Sequence, residues 1–279
     1  MKVGAIAVTP VDDGVGHVTP GQLYAAGSGG RGGKGTRDED WEEHREFLSP
    51  DGELEMPVGT FVIRSDDRLM LVDAGYGPQA PPTVSGPRLP ENLAAAGVRP
   101  EDVTDVVLTH LHADHIGWCA VEGKATFPSA TYRCAEADWT RFVDGAGDEN
   151  APDAKYREVA AATLGPIKDR FEMFTGETTL APGVDVVPAP GHTPGCSMLV
   201  LSGGGERALL IGDVVHHPVQ LLDDAWERVI DVDEARARAT QIAVARDLVR
   251  DGTPVVGAHF PGLRFGRVVR DGNRRRWAA

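Results

Sequence analysis

Cysteine is scarce in this chain of 279 residues: Cys119, Cys134 and Cys196 are the whole complement. An odd number with no CxxC spacing excludes a disulfide framework and fits a reducing compartment. Long apolar runs are also missing. No stretch approaches the roughly 20 residues of a membrane span, and the apolar residues 3–8 give way to Pro10 and Asp12 before a signal h-region could form. These absences predict a soluble cytoplasmic protein. Positive charge is in deficit, with 28 Lys and Arg against 42 Asp and Glu for a formal net charge of −14. Such a field repels nucleic acid. The one compact basic run, Arg274-Arg275-Arg276, reads as a solvated strand end or subunit contact. No internal repeat and no linker are visible.

What is present is an ordinary folded composition, 41% hydrophobic and 25% charged, unusually rich in turn formers with 34 Gly and 20 Pro. Strand-like and helix-like segments alternate throughout, predicting one α/β (α+β) domain over residues 1–279. Strands are expected at residues 3–8, 61–64, 69–73, 103–108, 184–187, 198–201, 208–211 and 254–257, with a C-terminal hairpin turning at Asp271-Gly272. Helices are expected at 91–97, 151–164 and 234–250. The last carries an apolar stripe at Ala235, Ala239, Ile242, Ala245 and Val249 and is ended by Gly252. The Gly-rich residues 27–35 fail the phosphate-loop test, because Ser28 stands where the first glycine belongs and Gly33-Lys34 is followed by Gly35. They read as a surface loop. Trp139, Phe142, Phe171 and Phe174 in the middle section read as core packing rather than a cap over a pocket.

The chemistry concentrates at His110-Leu111-His112-Ala113-Asp114-His115, at the end of a β-branched strand. His110 and His112 share parity and can face one ion, while Asp114 and His115 follow closely enough to reach a second. Imidazole and carboxylate suit zinc, manganese, iron or cobalt. By residue frequencies alone, such a cluster arises roughly once in a thousand chains or less. His192, Asp213 and His259 each lie among glycines or prolines at a strand end, in Pro-Gly-His-Thr-Pro-Gly, Ile-Gly-Asp-Val and Gly-Ala-His-Phe-Pro. Glycine there lets the backbone turn sharply and leaves the side chain exposed. A lone histidine in a turn is usually only solvated, but three such settings together point to ligands.

From Phe61 to His259 the chain resembles the metallo-β-lactamase superfamily, with Leu71-Val72-Asp73-Ala74-Gly75, the 110–115 cluster, His192, Asp213 and His259 in the expected order. The resemblance implies a four-layer αββα sandwich. It implies one metal on His110, His112 and His192, a second on Asp114, His115 and His259, Asp213 and a hydroxide bridging them, and Asp73 orienting ligands. The implied activity is that of a dinuclear hydrolase, with two divalent ions, zinc first and Mn, Fe or Co also accepted. Asp213 argues against a β-lactamase, His112 against redox diiron relatives, and the acidic charge against nucleases. The branch that remains holds N-acyl-homoserine lactonases and organophosphate or aryl-ester hydrolases, acting on a small molecule. The expected substrate is a small lactone or ester; a mononuclear-iron persulfide dioxygenase or thioesterase-like relative, or an organophosphate hydrolase, is the alternative. Asp114, Asp213 and His216 are the expected catalytic residues. His216 stands where related lactonases often have a tyrosine, His217 alternates away, and Cys196 reads as buried packing. A homodimer is the base-rate expectation.

Overall fold

The computed structural model describes residues 1–26, 38–145, 153–224, 226–228 and 230–279. The glycine-rich residues 27–35, and the first two residues of the helix expected at 151–164, lie outside the described residues.

Strand parity builds the layers. Leu54–Ser65 pairs antiparallel with Arg68–Val72, setting Phe61 opposite Val72 and Ile63 opposite Met70. Those four side chains share a face and pack on Val186, Leu199, Leu201 and Leu210 of a second sheet. The alternate residues Val62 and Leu71, with Val106 and Leu108, face the other way. They meet Leu93 of α1 (Leu89–Ala95), Ile116 of α2 (Ala113–Ile116), Phe142 of α3 (Glu136–Phe142) and Leu164 of α4 (Ala154–Leu164). On the far side, Val244, Ala245 and Leu248 of α6 (Glu234–Asp251) join the cluster of the second sheet, with the short helix α5 (Val219–Leu222) just before it in the chain. The result is the expected four-layer αββα sandwich, with an eight-stranded and a five-stranded sheet. No helix among the described residues is long and apolar enough to cross a membrane.

Topology brings chemistry to one edge. In the first sheet, Arg68–Val72 and Asp105–Val107 are adjacent and parallel, so they release Asp73 and Thr109-His110 side by side. In the second, Glu206–Leu210 and Val255–Val256 are adjacent and parallel and lead to Asp213 and His259. Two sheets thus present two pairs of strand C-termini to one crevice, where α/β folds bind ligands. Gly212 (φ 48°) makes this possible, since a Cβ there would lie 2.8 Å from the Thr109 side chain.

Two expectations are corrected. Residues 3–8 are not one strand: the chain reverses at Gly4 (φ 56°), so Lys2–Val3 pairs back on Ile6–Val18. The stripe on α6 is out of phase. Ala235 and Ala239 are exposed, and the buried face is Ala237, Gln241, Val244, Ala245 and Leu248. Its centre is a glutamine whose amide donates to the Gln220 carbonyl (3.1 Å) and accepts from the Gln220 side chain (3.1 Å). A hydrogen-bonded polar residue therefore holds a core position that apolar periodicity passes over. The aromatics of the middle section do pack in the core, with Phe142 fully buried and Trp139 and Phe174 nearly so. The arginine run sits in the terminal strand. Arg274 pairs with Glu43 and Arg276 with Asp271, while Arg275 pairs with Asp224 and donates to the Leu222 carbonyl.

Candidate metal centre

The strand Asp105–Val107 hands the chain to an extended turn, and His112 caps α2 with extended backbone (φ −76°, ψ 158°). His110 and His112 thereby project together, while Asp114 and His115 come from the first turn of α2. His192 lies in the loop joining Val184–Pro188 to Ser197–Gly203. The structure brings all seven sequence-predicted ligands together. His110, His112 and His192 converge as one group, Asp114, His115 and His259 as another, with each group's ligand atoms within 4.8 Å of one another.

Asp213 stands between them. Its Oδ2 is 3.8 Å from His110 Nε2 and 3.5 Å from both His115 Nε2 and His192 Nε2. Its Oδ1 is 3.4 Å from His259 Nε2, which is also 3.4 Å from Asp114 Oδ2. His112 turns Nδ1 inward, 3.0 Å from His192 Nε2. Ligands about 2.0–2.1 Å from one tetrahedral ion stand about 3.3 Å apart, so these spacings suit shared ions.

The inward atoms pass a stricter test. His110 Nε2, His115 Nε2, His259 Nε2 and Asp213 Oδ1 are buried and have no hydrogen-bond partner. Buried polar atoms are almost always satisfied, and cations bound at the two groups would satisfy all four. The outward ring nitrogens of His110, His115, His192 and His259, in contrast, are engaged. His115 Nδ1 donates to Asp73 Oδ2 (2.9 Å), His192 Nδ1 to Asp231 Oδ1 (2.9 Å), His259 Nδ1 to the Pro57 carbonyl (2.8 Å), and His110 Nδ1 faces Thr109 Oγ1 (3.3 Å). Such partners select the tautomer whose Nε2 lone pair points to the centre. Asp73 also accepts from Thr109 N (2.8 Å), so one carboxylate fixes both the strand end and His115.

Electrostatics agree. Burial opposes a charge on Asp213, but His259 and His115 outweigh it and hold its carboxyl well below the usual range. Burial likewise opposes protonation of His115 and His259, but the surrounding carboxylates, Asp213 foremost, together outweigh it and raise both. His110 is driven well below its usual value by burial and by His115. The anion at the centre attracts cationic charge from every side. Asp114 is the most open of the carboxylates, its side chain 18% exposed against 2% for Asp213.

His216 lies on the site side, its Nε2 3.0 Å from Asp213 Oδ2 and its ring stacked on His259 at 5.2 Å. His217 turns away against Phe47 and accepts from Val219 N, with burial pushing it down to about 3. Cys196 is fully buried packing, His17 is exposed, and His44 sits among Trp41, Phe47 and Trp226. Sequence reasoning missed Asp231, Asp138, Tyr76 and Tyr156. Tyr156 lies over His112 at 4.4 Å between ring centroids. Tyr76 is raised chiefly by the charge of Asp114, and Tyr156 by burial and then Asp114, so both phenols stay protonated at this mouth. No local pattern marks any of these four.

A probable metallo-hydrolase of Mycobacterium tuberculosis is 27% identical over 241 residues, covering 72% of this chain and 74% of that one. An N-acyl homoserine lactonase of Agrobacterium fabrum is 29% identical over 184 residues, covering 58% and 64%. Among solved structures, the hydrolase AbOPH of the β-lactamase superfamily superposes with a TM-score of 0.85 at 24% identity, covering 100% of this chain and 95% of that one. AidC, a dizinc quorum-quenching lactonase in complex with a product, superposes at 0.83 with 21% identity, covering 99% and 95%. At such identities these structures speak for the fold. The family model of the metallo-β-lactamase superfamily matches residues 55–259, a span that takes in every inward-facing imidazole and carboxylate described above, and the chain belongs to that superfamily of metallo-hydrolases.

Proposed function

We propose that this hydrolase carries two divalent cations and opens a small lactone or ester. The observation that carries the reading is one buried carboxylate, Asp213, set between two ligand triads. His110, His112 and His192 would hold one ion and Asp114, His115 and His259 the other, with Asp213 shared. Zinc comes first, and the same donors accept Mn, Fe or Co. When bound, such a pair supplies Lewis acidity and acidifies water to near neutral pH.

The chain's own groups do the rest. Asp213, held ionised, keeps negative charge at the centre. Asp114, the carboxylate nearest solvent, is placed to carry a proton to the leaving oxygen. His216 offers an N–H beside Asp213, and the protonated phenols of Tyr76 and Tyr156 offer donors at the mouth for a carbonyl or phosphoryl oxygen. Relatives named as N-acyl homoserine lactonases support the lactone class.

The test is metal stoichiometry measured with hydrolysis of a panel of lactones, aryl esters, thioesters and phosphotriesters. Two ions per chain and turnover of lactones or esters are expected. One iron per chain with oxygen uptake would replace this reading with a mononuclear dioxygenase. A metal-loaded protein that turns over no panel member would leave only a binding scaffold.

A further inference from the structure

Outside the ligand set, Asp138 on α3 is a fully buried carboxylate at the metal-facing edge of the fold. Its Oδ2 accepts from the backbone N–H of Leu111 (3.3 Å) and from Thr193 Oγ1 (2.8 Å), and its Oδ1 accepts from the N–H of Gly195 (2.6 Å). Leu111 lies between His110 and His112, and Thr193 follows His192. One side chain from a third segment thus grips both loops that present the first triad. The loop is shaped for this grip, since a Cβ on Gly195 would stand 2.8 Å from Asp138 Cγ and 2.7 Å from the Ala135 Cβ. Burying a carboxylate is costly unless its oxygens are satisfied, and here the satisfying donors all belong to those two loops.

We propose that Asp138 is a positioning residue that locks the 110–112 turn and the 192–195 loop into one frame, so that His110, His112 and His192 aim at a single cation. This rests on the dinuclear reading above. It assigns to the carboxylate a role in cation affinity rather than in folding alone. The two loops are also joined by Ser197 N donating to the Thr109 carbonyl (2.9 Å). That bond lies outside the clamp and keeps the sheets together when the clamp is cut.

Asp138→Asn isolates the claim. An amide presents one accepting oxygen and one donating nitrogen. Whichever way it turns, an N–H meets either the Gly195 N–H or the Leu111 N–H, and the clamp loses one of its backbone donors. Gly195→Ala reaches the same end with the carboxylate intact, by forcing the loop off Asp138. Both variants are titrated with zinc against a chelator and with cobalt by its visible spectrum, beside thermal melting of the metal-free protein. The expected result is one cation equivalent bound about 10–100-fold more weakly, the scale of losing a partner that orients ligands. The cobalt band should change, while the second equivalent keeps its wild-type affinity and the metal-free protein still melts cooperatively. Wild-type affinity in Asp138→Asn overturns the proposal alone. So does an equal weakening of both equivalents together with a lowered metal-free melting temperature, which would mark a merely structural role. A wild-type protein that binds no cation overturns both this proposal and the dinuclear reading.

Discussion

Replacing Asp231 with alanine should uncouple the two proposed metal sites. Asp231 Oδ1 accepts the Nδ1 proton of His192 at 2.9 Å, and its side chain is only 7% exposed. Without it, the imidazole loses the acceptor that keeps its proton on Nδ1, and the proton can move to Nε2, the atom that faces Asp213 at 3.5 Å. Loss of a carboxylate behind a ligating histidine weakens metal binding about 10–100-fold, or about 1.4–2.7 kcal/mol. The effect should be one-sided. His115 and His259 are held from behind by other groups, Asp73 and the Pro57 carbonyl. Chelator competition should then show one equivalent lost early and one retained, and intermediate chelator should give a stable one-metal protein. Equal weakening of both equivalents, or of neither, would refute the argument that each triad is oriented by its own outward partners.

Three further outcomes are expected. Asp213→Ala should abolish hydrolysis of every panel substrate and lower metal content, checked by turnover and elemental analysis, since it removes the carboxylate facing both triads. Gln241→Leu should lower stability by about 1–3 kcal/mol in urea unfolding, because it leaves the Gln220 amide and carbonyl buried without their partner. Burial pushes Asp138 up to about 6 from its ordinary 3.8. The folded state then binds the proton more tightly than the unfolded one, so this group's contribution is greatest below 3.8 and is lost as pH rises through about 6. In metal-free protein, the stability of wild type relative to Asp138→Asn should therefore fall by about 3 kcal/mol between about pH 4 and pH 7. A pH-independent difference between the two would contradict it.

The parts of this molecule that could be read from the sequence are those whose physical cause is local. The 110–115 cluster announces itself because four donors follow one another at a strand end, and adjacent side chains leaving the backbone on opposite sides separate His216 from His217. Gly252 ends α6 in the left-handed conformation that glycine favours (φ 62°). Residues whose partners come from elsewhere were illegible. Asp231 finds His192 and Asp138 finds Leu111, Thr193 and Gly195 only after the sheets have stacked. The α6 stripe failed for the same reason: Gln241 is tolerable in the core only because Gln220, on another helix, completes its hydrogen bonds. Gln220 in turn accepts from the N–H of His216 at 2.8 Å. A glutamine that looks like a polar interruption in a helix is thus two hydrogen bonds from a histidine beside the central carboxylate. Apolar periodicity reports which residues avoid water. The rigidity that a metal centre demands is supplied here by buried polar groups, each satisfied by a distant segment, and it has no period to detect.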